Sequence, residues 1–331
     1  MITAYTLFGS GRVSAATDHK ALAVALRDAT ARFWVDLERP TDEEIAILDE
    51  VFGFHPLAIE DCIQYTERPK VESYNHTGDI CKQGYFYMVV HGPDQETFRE
   101  QLRTKELDMF VSERYLVTVH DEPMGSIKAV HERAKVDARV VLEPGIDMLL
   151  YNLLDHIIDN YRPILDYLGE TLDGLEEEAL SMPTPDLLGR IAGKKRELLN
   201  FRRVVGPQRE VIAQLTRGEV PFIRETTRIY LRDVLDHLNR SVELVELYRD
   251  LVMGARDIYL SSINNNLNQI MKTLTIISVV ALPMTVITSF FGMNFAKIPG
   301  LNSAGAFWGM VLFMFGVVGT MLYVFRRNRW I

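Results

Sequence analysis

Steps of alternately three and four residues from Asp257 select Ser261, Asn264, Asn268, Met271, Thr275, Ser278, Leu282, Thr285 and Ser289. That spacing sets side chains on one face of an α-helix. Most of these side chains end in an amide, a hydroxyl or a carboxylate, while the other faces from Thr273 onward are mainly Ile, Val, Leu, Met and Phe. Two kinds of chemistry fit such a stripe. Small hydroxyls pack helix against helix through close contacts. Neutral amide and hydroxyl oxygens also line water, where they hydrogen-bond the shell of a hydrated ion. The asparagine cluster Asn264, Asn265, Asn266 and Asn268 favours water, because asparagine is a poor helix former without a reason to be there. One such helix cannot enclose a channel, so a pore requires several copies of the chain.

The stripe runs into the bilayer. Thr273 to Ala296 and Ile298 to Phe325 contain no charged side chain. Each run exceeds the ~20 apolar residues needed to cross a hydrocarbon core. We place the first span near Met271–Phe291 and the second near Phe307–Phe325. The second ends in Arg326, Arg327 and Arg329, a cytoplasmic stop under the positive-inside rule. Two spans return the chain to one side, so both termini are expected in the cytoplasm at the inner (plasma) membrane. Gly292–Ala306 then forms a short external loop, with Trp308 and Trp330 in interfacial belts.

The net charge of −9 falls on the part before the spans, which argues against nucleic acid and suits cations. Cys62 and Cys81 form no CxxC pair, and the first residues lack the pattern of a signal peptide. A reduced cytoplasmic domain is expected. Residues 1–143 read as an α/β domain. Its strands are expected at Arg32–Leu37, Val71–Tyr74, Tyr85–His91, Glu106–Ser112 and Tyr115–His120, and its helices at Asp42–Val51, His55–Tyr65 and Met124–Lys135. Residues 144–269 read as a stalk of long helices and 270–331 as the hairpin. The stalk pattern gives one helix over Ile146–Ser181 and a second over Asp186–Thr216 with a kink at Gly206–Pro207. A third, proline-free from Pro221 to Pro283, is about 70 residues, or roughly 100 Å long. The fold class is an α+β membrane protein.

Phe290-Phe291-Gly292-Met293-Asn294-Phe295 closes the first span, preceded by YLSSINNNLNQIMKTLTIISVVALPMT. This resembles the Gly-Met-Asn signature and pore helix of the CorA family of divalent-cation channels. His55-Pro56-Leu57, Glu60-Asp61 and Arg68-Pro69-Lys70-Val71-Glu72 resemble that family's N-terminal domain, so the resemblance covers nearly the whole chain. It implies a funnel-shaped homopentamer that passes Mg2+, with Co2+ and Ni2+ as further ions. Gly292, Met293 and Asn294 would form the selectivity filter. Asn264, Asn268, Met271, Leu274, Ser278, Leu282 and Thr285 would line the pore, with Met271 and Leu274 as its apolar constriction. Asp257 and Asp233 match carboxylates that bind regulatory Mg2+ between subunits, and Asp94 is the candidate partner from the first domain, beside an apparent insertion around His76–Gly84. Mg2+ would be both cargo and regulator.

The loop Phe295–Leu301 departs from the family by lacking a carboxylate and carrying Lys297. The related ZntB-like zinc transporters also tend to lack those acids. A proton-coupled Zn2+ carrier is therefore an alternative, as is a membrane-anchored sensor without ion flux. The spans hold no carboxylate or histidine to relay protons, which counts against the carrier. An enzyme is not expected, since no glycine-rich phosphate loop, HExxH or GxSxG is present. Glu176–Glu178 reads as a solvated helix face and Cys62 as a packing residue. Glu60 and Asp61 fit metal binding, helix capping or pairing with Arg68.

Overall fold

The computed structural model describes residues 1–16, 22, 27–74, 84–100, 102–293, 304–328 and 330. Asn294, the loop Phe295–Leu301, Cys81, Arg329 and the stretch 76–83 of the expected insertion lie outside these residues. Two compact units form: Met1–Glu178 with Thr184–Arg256, and Ala179–Pro183 with Asp257–Ile331.

The first unit is built on a seven-stranded sheet. Its strands are β1 (Ile2–Leu7), β2 (Val13–Ala16), β3 (Arg32–Glu38), β4 (Lys70–Tyr74), β5 (Tyr85–Pro93), β6 (Thr104–Val111) and β7 (Tyr115–His120), in spatial order β2-β1-β3-β7-β6-β5-β4. Only β3 and β7 pair in parallel; the other neighbours are antiparallel. The five expected strands are present. β1 and β2 were not legible, because ITAYTL and VSAA have little alternation of their own. Pairing along β3, from Ile2 opposite Leu37 to Leu7 opposite Arg32, supplies what local propensity does not.

Alternation along the central strands gives the sheet two faces. On one, Phe33, Val35, Tyr87, Val89, Phe110 and Val117 meet α1 (Asp42–Glu50), Phe52, Phe54 and α2 (Pro56–Ile63). Phe54 stacks on Phe110 with centroids 4.2 Å apart. α1 begins in a Thr41–Glu44 capping box, and α2 begins at Pro56 with the His55 ring accepting the Leu57 amide. Asp61 pairs with Lys70 at 2.5 Å rather than with Arg68. Cys62 is partly buried against this core. The other face is covered by α3 (Gly125–Val136), α4 (Ala138–Leu142) and α5 (Ile146–Asp159). β5 is therefore buried along its whole length, as a strand covered on both faces must be.

The expected helix over Ile146–Ser181 is instead two, α5 and α6 (Tyr161–Ser181), separated at Asn160. Pro163 explains the break, since it offers no amide to Asp159 and its ring crowds that carbonyl. In α7 (Pro185–Arg217) the helix continues through Pro207. Gln208 anchors α7 to the sheet: its side-chain oxygen accepts the His91 amide at 2.8 Å, and its side-chain nitrogen donates to the His91 carbonyl at 3.1 Å. Tyr161 donates to the same carbonyl at 2.6 Å.

The long third helix is α8 (Glu225–Phe291), 67 residues, followed by α9 (Ala304–Arg327). Its start is held by Asp147 of α5, which accepts from the Arg224 amide at 3.1 Å, the Arg224 guanidinium at 2.6 Å and the Thr227 hydroxyl at 2.7 Å. Burial alone would raise the Asp147 carboxyl, but these donors hold it below its usual range.

Gln208→Leu should leave the buried His91 amide without an acceptor, lowering unfolding stability by about 1–3 kcal/mol. Denaturant unfolding of the solubilised protein measures this, and an unchanged midpoint would mean that the leucine packs well enough to compensate.

Candidate functional site

From Asp257 onward α8 belongs to the second unit. α8 and α9 are each long and apolar enough to cross a membrane, with mean hydropathy of 2.1 and 1.9 over their most apolar windows, and none of either window is buried. A soluble core helix with that composition would be covered.

The exposure is not uniform around α8. Ile276, Val280, Pro283, Met284 and Ile287 are half-buried, at helical spacing. On α9 the half-buried side chains among the described residues are Met310, Val311, Met314, Val317, Val318, Met321 and Phe325, again on one face. The predicted stripe lies elsewhere. Asp257, Ser261, Asn264, Asn268, Met271, Ser278, Leu282, Thr285 and Ser289 are all exposed, and only Thr275 is partly covered. At 100° per residue, the stripe is centred roughly 160° from the covered face of α8. The hairpin thus uses its apolar face for local contacts and leaves its polar face bare. Leu274 is exposed beside Met271, and these two offer no oxygen at all.

The threonines on α8 are already oriented. Thr275 donates its hydroxyl proton to the Met271 carbonyl at 2.8 Å, and Thr285 donates to Ala281 at 2.9 Å. Their protons stay within the helix, so what remains for a neighbour is an acceptor oxygen. Water around a cation presents its hydrogens outward, and an acceptor surface matches it. At the end of α8 the Gly292 amide bonds the Thr288 carbonyl at 2.9 Å, and a Cβ on Gly292 would stand 3.2 Å from that oxygen. Glycine suits this tight exit. Met293 is exposed next to it.

The expected regulatory carboxylates fall in different settings. Asp257 is exposed and has no ion pair or hydrogen-bond partner among the described residues. Asp233 is exposed, with its carboxylate 4.0 Å from His237, whose other ring nitrogen lies 3.1 Å from Asp159 of α5. Asp155 joins this group. Burial and the neighbouring Asp159 push its carboxyl above the usual range, and Asp233 adds to the effect. Asp155 and Asp159 were missed in the sequence because only the approach of α5 to α8 sets them beside Asp233. Asp94 is instead buried and engaged within the chain, 3.1 Å from Lys105, accepting from Thr97 at 2.6 Å and from the Glu96 amide at 3.0 Å. Burial opposes its charge, yet these donors keep the carboxyl below its usual range. Among the described residues, no three His, Cys, Asp or Glu side chains of one chain converge to hold a metal.

Residues 31–327 match the profile of the family described as CorA-like Mg2+ transporter protein. The chain is 32% identical over 311 residues to the cobalt/magnesium transport protein CorA of Thermotoga maritima, covering 92% of this chain and 85% of that protein. It superposes on the complete structure of the CorA magnesium transporter from Methanocaldococcus jannaschii with a TM-score of 0.83 and 26% identity, over 100% of this chain and 99% of that one. The cytoplasmic domain of ZntB from Vibrio parahaemolyticus shares the fold alone, with a TM-score of 0.59 and 14% identity over 80% of this chain and 98% of that domain.

In a cysteine-free background, Ser278→Cys and Thr285→Cys should react in membranes with a charged thiol reagent, whereas Ile276→Cys and Val280→Cys should react at least tenfold more slowly. Equal rates at all four positions would deny that the stripe faces water.

Proposed function

The chain belongs to the CorA-like Mg2+ transporter family, and we propose that it carries Mg2+, and Co2+ with it, through a pore lined by the polar stripe of α8. The observation that carries this reading is the bare polar face of a bilayer-crossing helix, on the side away from the face that the hairpin covers. Lipid cannot satisfy that face, and copies of the same helix around an axis can.

In this reading five copies surround the pore, with residues 144–269 of each as stalk and both termini in the cytoplasm. Asn294, which follows Gly292 and Met293 in the sequence, accepts the incoming hydrated ion. Mg2+ releases water reluctantly, so neutral oxygens that hydrogen-bond its shell pass it on more readily than carboxylates would. The acceptor oxygens of Thr285 and Thr275, with Asn268 and Asn264, continue that path. Rings of Met271 and Leu274 close it by excluding water, and Leu282 and Ser278 lie between.

Regulation falls to carboxylates that one chain leaves uncompensated. Asp155, Asp159 and Asp233 crowd together beside His156 and His237, three carboxyls to two imidazoles, and Asp257 has no partner among the described residues. A Mg2+ ion shared with a neighbouring copy would relieve the repulsion and favour the closed assembly; loss of the ion would loosen it. Asp94 takes part only if Lys105 releases it.

Flux into proteoliposomes tests both parts. Mg2+ entry should fall at least tenfold in Asn294→Ala, and Co2+ should compete with it. Zn2+ entry alone, varying with pH, would favour the zinc carrier. No flux from intact oligomers would favour the sensor. Asp155→Asn with Asp233→Asn should keep flux but require several-fold more Mg2+ on the cytoplasmic side to shut it. Unchanged Mg2+ sensitivity would remove these residues from regulation.

A further inference from the structure

At the end of β7, His120 is enclosed by acceptors on both sides. Its Nδ1 lies 2.7 Å from the backbone carbonyl of Glu122, and its Nε2 lies 3.3 Å from the carboxylate of Asp36. A carbonyl and a carboxylate only accept, so both ring nitrogens must carry hydrogen for both contacts to be bonds. This is the imidazolium form. Asp36 is 3% exposed and receives two further donors, the Thr118 hydroxyl and His131 Nε2 at 2.8 Å. His131 is stacked on Trp34, and its Nδ1 is buried with no partner, so Nε2 is the nitrogen that donates to Asp36.

The bond from His120 to Glu122 pins the turn between β7 and α3. That turn is also tied by Arg39, whose amide donates to the His120 carbonyl and whose guanidinium donates to the Asp121 carbonyl, both at 2.9 Å, and by Lys105, which donates to the Pro123 carbonyl at 3.2 Å and lies 3.7 Å from Glu122. We propose that His120 is a proton-operated latch on this turn, closed by the imidazolium and released when His120 loses its proton.

Other groups around it act in the same sense. From β3, Asp36 and Glu38 favour the cation. Burial works against it, but the two acceptors prevail and His120 holds its proton above the ordinary histidine range. β6 contributes Lys105, Glu106 and Asp108, the turn contributes Asp121 and Glu122, and α2 contributes Cys62, all lining a cavity of about 120 Å³ that His120 also borders. In that cavity burial and Asp121 push the Glu106 carboxyl up to about 7, although the Thr66 amide bonded to it pulls the other way. A raised histidine contributes stability below its unfolded range, near 6.5, and loses it as pH rises through the folded value. A raised carboxyl holds its proton more tightly folded than unfolded, so its contribution also fades as pH rises towards about 7. Rising pH therefore removes a positive charge and adds a negative one around the same cavity, independently of what the spans conduct.

The experiment uses the full chain in lipid nanodiscs with 15N-labelled histidine, His120→Gln identifying the His120 signals. His120 should lose its second ring proton only above the ordinary histidine range. Amide exchange across Val119–Lys128 should then exceed the intrinsic rate increase by up to about tenfold per pH unit until His120 has titrated. His120→Gln should abolish that extra dependence. Two results would overturn the latch: His120 titrating at or below the ordinary histidine range, or exchange in Val119–Lys128 that ignores its titration. Both are read on the wild-type chain, so a misfolded variant does not obscure them.

Discussion

A helix that crosses a bilayer with amide and hydroxyl groups along one side cannot be left in contact with hydrocarbon. Each unsatisfied polar group there costs several kcal/mol. In this chain the constraint is acute, because the hairpin covers α8 on the opposite side and leaves Ser278, Thr285 and Ser289 open. The fold is thus incomplete as a single copy. In the reading proposed above its membrane unit is one sector of a larger ring, and the crowded carboxylates of α5 and α8 make the same demand outside the membrane. Polar groups that one chain cannot satisfy specify the assembly.

Where the chain does satisfy its buried polar groups, it does so across long sequence separations. Gln208 holds both backbone groups of His91, 117 residues away. Asp147 gathers the residues that begin α8, and Asp36 joins β3, β7 and α3 through Thr118, His120 and His131. A hydrophobic core tolerates sliding and exchange of similar side chains, whereas these bonds have fixed partners and directions. They determine where the helices begin relative to the sheet.

Patterns with a strong local cause were legible beforehand. The five strands from β3 to β7, the 67-residue α8 and the two spans follow from alternation, helical spacing and length. The exposed stripe on α8 was readable from spacing, since an unbroken helix keeps residues three and four apart on one face. β1 and β2 were not, because their identity comes from β3. The division of α5 from α6 was signalled by Pro163 and outweighed by the apolar pattern on both sides of it. The acidic group at Asp155, Asp159 and Asp233 had no local signature, being created by helices far apart in sequence. Asp94 carried a signal of the right type, a carboxylate in the first domain, but Lys105 shares the end of its strand pair and occupies it.

The continuity of α8 also constrains how the protein can vary. Glu225 to Phe291 is one helix, so angular position is counted residue by residue along it. Inserting a single residue between Ser261 and Thr275 would turn the side chains beyond it by about 100° against those before it, breaking the stripe into two headings. Adding seven or eleven residues nearly restores the original heading. Descendants of this sequence should therefore change length freely in surface turns, but along α8 only in steps close to whole numbers of turns.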